Sequence, residues 1–552
     1  MTNVYDNTVI CYSYSKSLSL PGERIGYLVI PDALKDSGEV FNAATIANRV
    51  LGCVNAPSLM QRVILRCLDA KVNLEAYDRN RNLLYNGLKD LGFECIKPQG
   101  AFYLFVKSPE ADEKKFCGNC KKYNILVVPG TSFACPGYVR VSYCVSYEQI
   151  ERSLPALQRW RLTTALQNKE LHQLKYSWIT AGKKEKFWRR ADMRPWEMNI
   201  RRVVPYVPGD QPAGDKLIKL NTNENPYPPA PGVERALREM DADRLRKYPD
   251  PSSAELVTAL AEYYGVGEDQ VFVGVGSDDV IAMSFLTFFN SQKKVLFPDI
   301  TYSFYKVWAD LYRIPYETPA LDENMAIRPL DYKRENGGII FPNPNAPTGL
   351  YMPLDQVEEI VKANQDVIVI VDEAYIDFAG PSARELLPGY DNLLVVQTFS
   401  KSRSMAGVRI GFALGSPALI KALNDVKYSY NSYTMNLPSQ IAGTQAVKDR
   451  AYFEETRAKI MATRERSKKR FAELGFTFPD SMTNFILVTH ERVPARAIFD
   501  AMKKEQIYVR YFNAPRLDNS LRVSIGTDEE MDVLFRFLER YLKEWKPAGD
   551  SE

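Results

Sequence analysis

The stretch Leu393-Leu-Val-Val396-Gln-Thr-Phe-Ser400-Lys401-Ser-Arg-Ser-Met-Ala-Gly-Val-Arg409-Ile-Gly-Phe412 joins a short apolar run to a serine, a lysine and, eight residues later, an arginine. The run is short for a buried helix and reads as a buried strand with chemistry-bearing residues at its carboxyl end. Upstream stretches repeat the arrangement. Val367-Ile-Val-Ile-Val371 ends in Asp372, and Gly337-Gly-Ile-Ile-Phe341 is another such run. Val271-Phe-Val-Gly-Val-Gly276 reads as a strand and turn, and Asp278 to Phe289 as the helix that follows. Continuous apolar runs mark strands covered on both faces, as in parallel sheets. From Leu217 onward, strand-like and helical segments alternate, which predicts an α/β fold with helices on both faces of a mostly parallel sheet. Ligands in such sheets bind outside the carboxyl ends of the strands. Asp372, Ser400 and Lys401 lie there.

The lysine segment occurs twice. Ser15-Lys16-Ser-Leu-Ser-Leu-Pro-Gly-Glu-Arg24-Ile-Gly-Tyr27 repeats Ser400 to Phe412 with the same lysine-to-arginine spacing. Leu91-Gly92-Phe93 followed by Ala101-Phe-Tyr-Leu-Phe-Val106 matches Leu474-Gly475-Phe476 followed by Asn484-Phe-Ile-Leu-Val488. Val139-Arg140-Val-Ser142 matches Leu521-Arg522-Val-Ser524. Lys16 and Arg140 are 124 residues apart, and Lys401 and Arg522 are 121. Three landmarks at matched distances predict a duplicated module. The copies are unequal: counted from Met193, 208 residues precede Lys401, whereas 15 precede Lys16. The first module, residues 1–158, reads as the back half of an enzyme, lacking about 190 residues on its N-terminal side. The second, residues 193–552, reads as complete.

Composition narrows the function. Hydrophobic residues make up 45% of the 552 and charged residues 25%, ordinary for a soluble globular protein. No run of about 18 apolar residues and no secretory leader is evident, so a cytoplasmic chain with no membrane partner is expected. A net charge of +3 implies no polyanionic partner. His172 and His490 are the only histidines, which excludes an HExxH zinc site and leaves little for a histidine-based hydrolase. All eight cysteines lie in the first 144 residues. Cys117-Gly-Asn-Cys120 has redox or half-zinc spacing, but no second CxxC or nearby histidine completes a site. Reduced thiols and no metal are expected.

The second module carries, in order, Arg194-Pro-Trp-Glu-Met-Asn-Ile-Arg-Arg-Val-Val-Pro-Tyr-Val-Pro-Gly209, Asn221-Thr-Asn-Glu-Asn225-Pro-Tyr227, Tyr248-Pro-Asp-Pro251, Asp372-Glu-Ala-Tyr375 and the Ser400-Lys401 to Arg409 signature. In this it resembles the fold type I, pyridoxal-phosphate-dependent aminotransferases, and within them the histidinol-phosphate branch, from about Met193 to Lys546. The resemblance implies a seven-stranded, mostly parallel large-domain sheet at about 227–445. A smaller α+β domain would comprise about 193–226 plus 446–546.

It also implies roles. Lys401 is the amine that holds the cofactor aldehyde and then shuttles the Cα proton. Asp372 pairs with the protonated ring nitrogen and keeps the ring an electron sink. Tyr375 bonds the phenolic oxygen. Gly276-Ser277-Asp278 opens a helix whose free N–H groups favour the cofactor phosphate, with Ser400 and Arg409 adding side-chain contacts. Tyr302 stacks on the ring. Tyr248 matches a residue that reaches the phosphate of a partner subunit, which implies a homodimer. Arg522 matches the arginine that holds the glutamate carboxylate. Arg510 and Tyr227 join it around the phosphate of histidinol phosphate, with 2-oxoglutarate and glutamate as the other substrate pair. The family's Asn-Pro-Thr-Gly loop is here Asn345-Ala346-Pro-Thr-Gly349, so the asparagine contact to the ring is open.

The first module resembles the small domain and lysine segment of another class I aminotransferase, with Lys16, Arg24 and Arg140 at the matching positions. It has no upstream Asp-x-x-Tyr, no Asn-Pro-Thr-Gly and no phosphate-binding helix, so no activity is expected of it. The joint, residues 159–192, holds nine Lys/Arg against three Asp/Glu. It reads as a solvated basic linker, as a nucleic-acid-binding stretch, or as translated intergenic sequence, since Trp188-Arg189-Arg190 can be encoded by a purine-rich, ribosome-binding-like run. Rival functions are a threonine-phosphate decarboxylase-like enzyme, a broader aromatic or aspartate aminotransferase, and a non-enzymatic regulator or scaffold.

Overall fold

The structure is a computed structural model and describes residues 5–50, 56–167 and 217–546. The signature Arg194 to Gly209 and the joint from residue 168 onward lie outside the described residues. The chain forms two compact units, one of Met1–Asp69 with Pro195–Glu552, the other Ala70–Arg194.

A seven-stranded sheet organises the larger unit. Its order is Val271–Gly274, Gly411–Gly415, Leu393–Thr398, Val369–Asp372, Ile339–Pro342, Val295–Leu296 and Tyr316–Glu317. Gly411–Gly415 runs antiparallel to both neighbours, and the other pairings are parallel. Side chains alternate across a strand, and the apolar runs feed two cores. Val271, Ile339, Phe341, Val369, Val371, Leu393 and Val395 face one. Phe272, Ile340, Ile370, Leu394, Val396 and Ala413 face the other, with Phe285 and Trp308 of the covering helices. Each Val, Leu, Ile or Phe among them, fully buried, contributes roughly 1.5–3 kcal/mol. The expected strands and the helix, observed as Ser277–Phe288, fall within two residues of their predicted ends.

A five-stranded sheet forms a third core, in the order Phe476–Thr477, Phe485–His490, Leu521–Ser524, Ile507–Tyr511 and Ile218–Leu220. The helices Arg450–Glu473 and Asp528–Glu544 accompany it, the latter opened by a capping box of Thr527 and Glu530. No described helix is long and apolar enough to cross a membrane.

The duplication persists in backbone detail. Ile10–Ser13 pairs antiparallel with Gly26–Val29, setting Ser13 opposite Gly26 and Tyr12 opposite Tyr27. Leu393–Thr398 pairs with Gly411–Gly415 in the equivalent register, Thr398 opposite Gly411 and Gln397 opposite Phe412. Ser19 and Ser404 have φ of 55° and 59°, and Arg24 and Arg409 have 50° and 61°. The smaller unit holds the sheet Tyr103–Lys107, Tyr138–Ser142, Val128–Pro129. Arg140 stands opposite Phe105 and Val128, as Arg522 stands opposite Leu487 and Arg510. The second arginine of the later copy is therefore a valine in the first.

The first hairpin has two strands where the later copy has seven. Tyr12, Tyr27, Leu28 and Val29 are exposed in consequence. In the smaller unit, Cys117 and Cys120 are free and buried on the helix Glu113–Lys121, and burial pushes the Cys120 thiol up to about 12.

Candidate active site

The carboxyl ends of the parallel strands present Asp372 and, after Thr398, Ser400 and Lys401. Asp372 ends its strand and is buried. Tyr305 donates a 2.6 Å hydrogen bond to its Oδ2, and the amide of Ala374 donates to Oδ1 at 3.2 Å. No cation is among these partners. Burial, with repulsion from Asp278 added, pushes the carboxyl up to about 6.

The Lys401 ammonium donates to the Thr222 carbonyl at 3.1 Å and lies 5.8 Å from the Tyr375 ring centre. Asn225 holds the lysine's backbone by donating to the carbonyls of Lys401 and Ser402. Tyr375 accepts from the Asn223 amide at 2.9 Å. Asn223 has φ of 56° and is fastened by Ser524 and Asn484. Arg522 donates to the carbonyl of Asn221 at 3.0 Å. The segment 221–225 thus ties the lysine, the tyrosine and the arginine together.

A second cluster builds an anion cradle. Gly276 has φ of 86°, a left-handed value that glycine adopts without a side-chain penalty. A Cβ there would strike the Arg409 guanidinium, and one on Gly411 would strike the Ser277 amide. The helix Ser277–Phe288 begins with no side-chain cap, leaving first-turn N–H groups to an anion. Arg409 pairs with Asp278 at 3.0 Å, while its buried Nε has no hydrogen-bond partner. Tyr302 donates to Asp278 at 2.7 Å and packs on the aromatic core of Phe304, Tyr305 and Trp308. Ser400 accepts from the Thr398 hydroxyl.

Arg510 and Arg522 stand opposite each other across their strand pair, and both guanidiniums lie 5.5 Å from the Phe512 ring. Tyr227 is half-buried beside Lys459 and bonded at its amide by Asn225. Tyr248 is 44% exposed and stacks on Tyr433, with a 4.5 Å centroid separation. Asn345 donates to the Thr348 hydroxyl in its own loop and to the Ile300 carbonyl of another, and accepts from the Thr301 hydroxyl. His490 accepts from the amides of Arg492 and Val493, a turn-closing role.

Three contributors escaped the sequence reading: Tyr305, Asn223 and Asn225. The two asparagines sat inside a quoted motif, but only long-range contacts show what they hold.

Lys401, the buried carboxyl of Asp372 and a helix start flanked by Arg409 thus gather at the carboxyl ends of the parallel strands, an arrangement of amine, carboxyl and guanidinium groups suited to group transfer. The chain matches Aminotransferase class I and II over residues 2–157 and 215–538, and it belongs to that family. It is 51% identical to the histidinol-phosphate aminotransferase of Clostridium acetobutylicum over 336 residues, 61% of this chain and 96% of that one. It is 50% identical to histidinol-phosphate aminotransferase 1 of Hydrogenovibrio crunogenus over 63% of this chain and 98% of the relative. Among solved structures, it is similar to the histidinol-phosphate aminotransferase of Sinorhizobium meliloti in complex with pyridoxal-5'-phosphate. That match has a TM-score of 0.54 and 26% identity, covering 59% of this chain and 90% of that one.

Proposed function

We propose that residues 193–552 carry out pyridoxal 5'-phosphate-dependent transamination of L-histidinol phosphate with 2-oxoglutarate, giving imidazole acetol phosphate and L-glutamate, in the cytoplasm. The observation that carries the substrate is the Arg510–Arg522 pair, joined to the lysine through Asn221 and Thr222. Two guanidiniums suit a phosphate dianion by bidentate geometry, and one suffices for a carboxylate. The relatives' names support the same substrate.

The residues present fit the cofactor. Gly276, Ser277, Ser400 and Arg409 would hold its phosphate, with Tyr302 against the ring. Asp372 would take the ring nitrogen as the cation it lacks. Bound there, the cofactor supplies an electron sink for the substrate carbanion.

This chain's residues do the rest. Lys401 would hold the cofactor aldehyde through its amine, with loss of water, and once freed by the incoming substrate amine would move the Cα proton. Tyr375, oriented by Asn223, would donate to the ring oxygen, where Ala346 has no side-chain donor to add. Arg510, Arg522 and Tyr227 orient the phosphate or carboxylate of the incoming substrate. Tyr248 of a second copy would complete the phosphate cradle, so the working form is a homodimer.

The test is product analysis with histidinol phosphate and 2-oxoglutarate. Stoichiometric glutamate is expected. Carbon dioxide release from a phosphorylated amino acid instead would sink the reading in favour of a decarboxylase.

A further inference from the structure

Tyr248 already has company in this chain. The Lys16 ammonium lies 5.5 Å from its ring centre and the Arg24 guanidinium 5.6 Å. These are the repeat counterparts of Lys401 and Arg409, held in the same hairpin register and the same left-handed turns. The turn Pro21–Glu23 lies against Ala242–Arg246, just before Tyr248, and the helix Ser37–Val50 lies against Phe304–Tyr312. Ile46 packs on the core behind the large sheet. The surface around Tyr248 therefore accepts a Ser-Lys-x7-Arg segment. The chain contains one other such segment, residues 400–409, and a second copy would present it.

The resident segment is an imperfect occupant. Glu23 is wholly buried with neither carboxylate oxygen hydrogen-bonded, and burial pushes it up to about 7. The position matching Glu23 in the later repeat is Val408, which carries no charge to bury. An unpaired buried charge is costly, and an apolar side chain in its place is not.

We infer that the N-terminal repeat is a cis competitor for the homodimer face, holding on Tyr248 the place that residues 400–409 of a second copy would take. The inference rests on the proposed homodimer. It makes the intact chain a self-capped monomer at low concentration, which dimerises when the repeat is displaced.

Sedimentation of the full chain over a concentration series tests it. The double variant Lys16→Glu, Arg24→Glu reverses both contacts with the ring. It is expected to lower the monomer–dimer midpoint at least tenfold, a change of about 1.4 kcal/mol. Ile46→Asp, which disturbs a different part of the seat, is expected to act in the same direction. Glu23→Val, which strengthens the seat, is expected to raise the midpoint. Circular dichroism spectra matching the parent show that each variant folds. A parent that is dimeric at every concentration, or midpoints that do not move, would overturn the inference. The readout is mass, so it stands apart from glutamate formation: a chain that transaminates with unmoved midpoints loses this inference and keeps the proposed function.

Discussion

Asp372 is a buried carboxyl group whose hydrogen-bond partners among the described residues are uncharged, and its chemistry follows from that. Burial raises it from 3.8 to about 6. The folded chain without cofactor holds this proton more tightly than the unfolded chain does. The group's stabilising contribution is therefore full below about pH 4 and lost as pH rises through 6. Cofactor binding has the opposite sign, because a protonated ring nitrogen needs the carboxylate. Cofactor affinity, measured by fluorescence titration, should fall by up to about tenfold per pH unit below pH 6. In Asp372→Asn the slope should vanish. That variant should still bind cofactor but turn over about 100-fold more slowly, as a two-unit change in the ring nitrogen's acidity would produce. Near-parental turnover would refute the role. Lys401→Ala should remove the visible absorbance of lysine-bound cofactor and lower turnover by at least about 100-fold. An unchanged spectrum would show that another amine holds the aldehyde.

At the scale of elements, the strands were legible because their apolar runs are continuous and face two cores. The aspartate and lysine were legible because each follows such a run. Asn223 was not, because its bond to Tyr375 spans 152 residues of sequence and depends on two sheets meeting. Tyr305 was hidden in an aromatic helix that reads equally as core. The opposition of Arg510 and Arg522 is a matter of register, which spacing alone does not fix. The segment 221–225 makes its own prediction. Asn223→Ala leaves the Tyr375 hydroxyl without its donor and should lower kcat about 10-fold, with a smaller change in KM, on the scale of one lost hydrogen bond. Equal losses in Tyr375→Phe and a Tyr375→Phe, Asn223→Ala double variant would show that the asparagine acts through the tyrosine. Additive losses would show that it does not.

The whole molecule matches one family model over two stretches, residues 2–157 and 215–538. Each cofactor and substrate group named above lies at or beyond Asn221. A chain of residues 193–552 should therefore form glutamate with kcat no lower than that of the full chain. An inactive short chain would show that the first module supplies something essential. The first module's apolar strands, exposed for want of a sheet to join, are expected to bind a hydrophobic dye that the short chain does not.

The paired left-handed turns carry a last consequence. Ser19 and Arg24 keep the strained backbone of Ser404 and Arg409 beside a hairpin of only two strands. A non-glycine residue in that region costs of order 1–3 kcal/mol, and here the strain persists without the anion cradle it adjoins in the later copy. The bend therefore accompanies the antiparallel crossing in both copies, whether two strands or seven surround it. The same crossing sets Arg409 beside Gly276 and Asp278, so one turn of the chain fixes where that guanidinium lies.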